Sequence, residues 1–99
     1  MAKLYCISYD LIKEKDYSKL IDAIKTYKLW WHQTGSVWYV VSENQDSVQI
    51  RDSLMQYLDA DDKLFVIRIN WREWAGTGFT KDEYDWLRNR MDELNIQNK

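Results

Sequence analysis

Proline is absent from this 99-residue chain and glycine occurs only three times, so nothing in it reads as a flexible linker, a repeat or a low-complexity segment. A single cysteine, Cys6, excludes an internal disulfide and a zinc site built on paired cysteines, and it points to a reducing compartment. With one histidine in the chain, any acid–base role that requires an imidazole falls on His32. No stretch approaches the roughly 18 apolar residues of a membrane span. The first residues enter a strand-like run at once, so a soluble, unprocessed, cytoplasmic chain with no membrane partner is expected. Lys and Arg total 14 against 16 Asp and Glu; the net charge of -2 excludes a polybasic nucleic-acid arm. The abundant residues are aromatic: six Trp and seven Tyr. One domain spanning 1–99 has few fully buried positions, so some rings should line an interface, pocket or stacking surface.

Residues Lys3 to Leu11 alternate, with Leu4, Cys6, Ser8 and Asp10 on one face and Tyr5, Ile7, Tyr9 and Leu11 on the other. Asp16 is placed to cap a helix beginning at Tyr17, whose apolar positions Leu20, Ile21, Ile24 and Tyr27 carry it to about Lys28. Leu29 to Gln33 and Ser36 to Ser42 flank Thr34-Gly35 as a tight hairpin. Asp46 and Gln49 form a capping-box start for a second helix with the stripe Ile50, Leu54 and Leu58. Lys63 to Asn70 alternates again, Phe65, Ile67 and Ile69 against Leu64 and Val66. The order is β-α-β-β-α-β, an α+β, ferredoxin-like arrangement with the first strand at the centre of its sheet. Two helices cover one face. Leu4, Cys6, Leu64 and Val66 are expected on the other, as a semi-apolar surface and dimer interface. Past this core of about 3–70, residues of about 71–94 form a Trp-rich extension and a third helix. Thr80 and Glu83 make its capping box, and Tyr84, Leu87, Met91 and Leu94 its apolar stripe. Helix three, a partner subunit, or both should cover the open face, and the last residues from Asn95 should fray.

The segment YCISYD, with Asp10 closing the first strand, resembles the start of the small ferredoxin-fold subunit of the CRISPR spacer-acquisition complex; VapD-type ribonucleases share that outline. The hairpin segment TGSVWYVVS is similar to the same family's second-to-third strand region. The YCISYDL start, the WWH run and the WAGTG segment also resemble small proteins labelled SinR-like in bacterial and phage genomes. The resemblance implies a homodimer or higher homo-oligomer in a CRISPR, toxin or mobile-element setting. In some members it implies a nuclease in which the aspartate ending strand one, from each subunit, holds Mg²⁺. By position only Asp10 carries over. The chain differs in lacking a strongly basic surface, and Trp71 to Trp86 stands where a short swapped strand would be.

Asp10 is therefore the candidate metal ligand and catalytic residue, with His32 as a candidate acid–base group. Two Asp10 carboxylates meeting at a two-fold axis would share one Mg²⁺, which favours carboxylate oxygen, water and phosphate, and so activate water against an RNA or DNA phosphodiester. The alternative for Asp10 is a turn cap, and for His32 a half-buried, locally bonded strand histidine. Trp30, Trp31, Trp38, Arg68, Trp71, Arg72 and Trp74 are candidate ligand or nucleic-acid contacts, since exposed rings among cations stack single-stranded bases. The same rings at an interface would instead lock subunits or wall a nucleotide pocket, giving a non-enzymatic binding or sequestering module without cofactor. Asp59, Asp61 and Asp62 read as loop solvation. Gly76-Thr77-Gly78 reads as a turn into helix three, without the third glycine of a dinucleotide loop.

Overall fold

Four strands, β1 (Lys3–Asp10), β2 (Trp30–Thr34), β3 (Val37–Ser42) and β4 (Lys63–Ile69), pair antiparallel in the order β2-β3-β1-β4. With α1 (Ser18–Ile24), α2 (Ser47–Met55) and α3 (Lys81–Glu93), the chain is a ferredoxin-like domain with one added helix. The computed structural model describes residues 2–12 and 17–96.

The two faces of β1 seed two cores. Tyr5 and Ile7 pack with Trp38, Val40, Leu20, Ile24, Ile50 and Leu54 under α1 and α2. Leu4 packs with Met91 and Ile96, flanked by Tyr39, Val41, Ile69 and Leu94, under α3. Leu64 and Val66 join the first core, which corrects their expected place on the open face. The register decides it. Ile7 pairs with Val66 and Ser8 with Phe65, so Phe65, Ile67 and Ile69 share the face of Leu4, Cys6 and Ser8.

Asp46 closes α2 with a full capping box, and Thr80 does the same for α3. α1 is shorter than its periodicity predicts. Its N-cap is Tyr17, without a side-chain bond, and it ends at Ile24, where the Thr26 hydroxyl donates to the Ala23 carbonyl at 2.6 Å. Asp16 lies outside the described residues. The hairpin loop is Gly35-Ser36, and a register shift between Trp31 and Thr34 marks a bulge in β2.

Aromatic rings fasten α3 to the sheet. Trp31, 6% exposed, donates from Nε1 to the Glu83 carbonyl at 3.0 Å and meets Tyr39 and Phe79, each at 5.4 Å between ring centres. Phe79 meets Tyr84 at 5.4 Å, and Tyr84 meets Trp74 at 5.9 Å. A side chain at Gly76 would come within 3.3 Å of Phe79 and Tyr84, while Gly78 has φ +89°, so both glycines serve this approach. At the far end Asn95 takes φ 53°, and the Asn95 and Ile96 amides donate to the Asp92 and Met91 carbonyls. This is a Schellman ending that buries Ile96. Fraying thus does not begin at Asn95.

Candidate functional site

α3 leaves one corner of its face bare. There Phe65 is 64% and Ile67 47% exposed, beside the half-buried Cys6 and Ser8. Asp10 ends β1 on the same face, solvent-exposed, its cross-strand partner being Lys63. Among the described residues no hydrogen bond or ion pair engages the Asp10 carboxylate. The turn after β1 is held by another residue: Asp62 accepts from the Ile12 amide (3.0 Å), both oxygens accept from the Tyr17 hydroxyl (3.0 Å), and the Asp59 amide donates to it (2.8 Å). Asp62 is thus a structural hub and not a solvated loop residue. Asp10 is released from the capping role that its position suggests.

The hairpin turn closes over the same end, where the Tyr9 amide donates to the Ser36 carbonyl at 3.1 Å. His32 bonds through Nε2 to the Gly35 carbonyl at 2.6 Å and stacks on Trp38, ring centres 3.7 Å apart. Trp38 in turn donates from Nε1 to the Tyr9 hydroxyl at 3.0 Å. No hydrogen bond or ion pair joins His32 to Asp10 among the described residues. Its local bond is that of the alternative reading, a strand histidine bonded to its own hairpin. On the bare corner, burial pushes the Cys6 thiol up, against a hydrogen bond from Tyr39 that opposes the shift.

Among the described residues no group of three or more His, Cys, Asp or Glu side chains gathers to hold a metal. An ion such as Mg²⁺ keeps several waters and is held by one or two carboxylates with substrate phosphate, so a single carboxylate per chain is the least that such a site would use. Lys63 was missed in the sequence; the rule that the first residue of β4 faces the last of β1 would have found it.

The seven candidate contacts do not form one surface. Trp38 is 1% exposed in the core, and Trp31 lies under α3, so neither ring is open to a base. Both were expected as contacts. Alternation along β3 sends Trp38 inward with Val40, and the third helix covers Trp31. Trp30, on the opposite face from Trp31, is 38% exposed, lies 5.3 Å from Trp38 and has the Lys25 ammonium 5.6 Å from its ring centre. Arg68 is exposed on the helix-covered side of β4, opposite Tyr5. Arg72 is committed to Asp92 at 2.7 Å, between exposed Trp71 and Trp74. The Arg90 guanidinium sits 5.3 Å from the ring centre of Trp86.

A four-stranded antiparallel sheet in the order β2-β3-β1-β4, with an exposed carboxylate ending β1, places the chain among small ferredoxin-like α+β proteins. The family model described as CRISPR associated protein Cas2 matches residues 3–76, and the chain belongs to that family. The match runs through all four strands and stops in the connection before α3. No helix among the described residues is long and apolar enough to cross a membrane.

Proposed function

We propose that the chain is a homodimeric, cytoplasmic CRISPR-associated nuclease that cleaves RNA or DNA phosphodiesters, with Mg²⁺ held between two Asp10 carboxylates. The observation that carries this reading is the exposed, unengaged Asp10 on the bare corner of the open face. A second copy packed against Phe65 and Ile67 would bury that apolar corner and bring the two Asp10 side chains toward one axis. These residues replace Leu64 and Val66 in the interface; Leu4 lies beneath α3 and Cys6 stays at its margin. Bound there, Mg²⁺ would supply Lewis-acid polarisation of a phosphoryl oxygen and a water of lowered pKa. Asp10 holds the site, Lys63 offers a cation to the phosphate, and His32 orients the hairpin. Resemblance to VapD-type ribonucleases supports RNA among the substrates.

Labelled RNA and DNA incubated with protein and Mg²⁺ test this directly. Cleavage by wild type that Asp10→Ala abolishes supports it; cleavage unchanged by Asp10→Ala sinks it.

A second reading, a non-enzymatic oligomer that binds nucleotide or partner protein, is favoured by the charge of -2, which gives little uniform positive field for duplex binding. Half-exposed Trp30 beneath Lys25, with Trp71 and Trp74, would be its contacts. Trp fluorescence that shifts on adding oligonucleotide, in a protein that cleaves nothing, favours it over the first.

A further inference from the structure

Tyr5 is 2% exposed, yet among the described residues no hydrogen bond engages its hydroxyl. The one fully occluded side-chain polar atom without a partner among those residues is Arg90 Nε, so the Tyr5 oxygen reaches solvent. Arg68 faces Tyr5 across the β1–β4 pair, on the helix-covered side. Alternation along β1 puts Lys3 on that side too. Among the described residues neither Arg68 nor Lys3 makes an ion pair. α2, which packs on β4, starts at this end. Its capping box occupies the Asp46 and Gln49 amides and leaves those of Ser47 and Val48 without a partner among the described residues.

We propose that this end of the sheet binds a phosphate-class oxyanion between the Arg68 guanidinium, the Tyr5 hydroxyl and the free first-turn amides of α2.

The charges fix where the phenol points. Both the Arg68 guanidinium and the Asp46 carboxylate act on it through space, so its oxygen lies between β4 and the start of α2. Guanidinium and amides can only donate, and the phenol has a proton to give, so the cluster calls for an acceptor with negative charge. Donors from β4, from β1 and from the helix approach along three directions. That suits a tetrahedral group with three free oxygens better than a planar carboxylate with two. The charge balance agrees. Lys3, Arg68 and the α2 dipole outweigh Asp46, whose carboxylate already accepts from the Gln49 amide at 2.9 Å, and no acidic residue occupies the first turn of α2. Five strand residues, roughly 16 Å at about 3.3 Å each, separate Tyr5 from Asp10, which lies on the other face. The proposal is therefore independent of the nuclease reading, and either can fail without the other.

Calorimetric titration of the full chain with inorganic phosphate, in EDTA and at fixed ionic strength, tests it. EDTA removes the metal through which Asp10 would reach a phosphate. Saturable binding is expected, with acetate weaker by about ten-fold or more. Tyr5→Phe keeps the buried ring and deletes only the hydroxyl, and Arg68→Gln changes an exposed side chain. Each should weaken phosphate by about ten-fold, whereas Asp10→Ala should leave it unchanged. Methyl phosphate that binds where a dinucleotide without terminal phosphate does not marks a small ester as the source. Equal binding of the two marks a nucleic-acid backbone. No saturable binding at tens of millimolar phosphate overturns the proposal. So does acetate that binds as tightly, or phosphate binding that Tyr5→Phe and Arg68→Gln both leave untouched.

Discussion

Asp62 accepts from two backbone amides and the Tyr17 phenol, so it holds the β1–α1 and α2–β4 connections together from one carboxylate. Hydrogen bonds to a charged acceptor contribute about 1.5–3 kcal/mol, and the group is only partly buried, so Asp62→Ala should cost about 2 kcal/mol. Urea unfolding measures it, and Asp10→Ala should leave the same curve within about 0.5 kcal/mol. The contrast separates a carboxylate that holds the fold from one that the fold does not need. His32→Gln, which still donates near Gly35, should keep most of any cleavage activity, since no bond ties the imidazole to Asp10. A loss with His32→Gln as deep as with Asp10→Ala would return His32 to the catalytic set. Asp10 stands out in the sequence through the family resemblance, as the residue that ends the first strand. The role of Asp62 is not legible there, because three neighbouring aspartates look alike until the chain path shows which one turns inward.

At the scale of elements, alternation in β1 was readable because its two faces differ in polarity. β4 is apolar in both phases, so sequence could not choose between Leu64 with Val66 and Phe65 with Ile67; pairing to β1 chose. The Trp residues misled for a related reason. Trp30 and Trp31 must part company on a strand, but only the third helix determines that Trp31 is the covered one. Trp31→Ala should therefore cost about 3–5 kcal/mol, and the near-ultraviolet circular dichroism of the α3 aromatic cluster should collapse with it. Thr80→Ala, which removes half of a capping box, should cost about 1 kcal/mol and leave that spectrum intact. Equal losses from the two variants would mean that α3 is held by its own helix propensity and not by the ring contacts.

For the whole molecule, burial sets behaviour at high pH. It pushes the Cys6 thiol and the Tyr5, Tyr27 and Tyr39 phenols up; Arg68 opposes the shift at Tyr5, and Cys6 adds to that at Tyr39. The unfolded chain releases these protons first, as pH climbs past the ordinary values of 9.0 and 10.0. Stability is then full below about pH 9 and falls above it, until the folded groups also titrate. A melting temperature that rises between pH 9 and 11 would contradict this. The bare corner makes its own prediction: Phe65→Lys should turn a dimer into a folded monomer, read by sedimentation, because Phe65 lies outside both cores. The proposal that paired Asp10 carboxylates form a metal-dependent nuclease draws on membership of the Cas2 family and on the exposed Asp10 of that corner. The most direct test is the rate of cleavage of labelled single-stranded RNA and duplex DNA across a Mg²⁺ titration, for wild type, Asp10→Asn and Phe65→Lys. Mg²⁺-dependent cleavage by wild type, with a loss of about a hundred-fold or more in both variants, is expected. Cleavage that persists in Asp10→Asn, or wild type that cuts neither substrate at any Mg²⁺ concentration, would contradict the proposal.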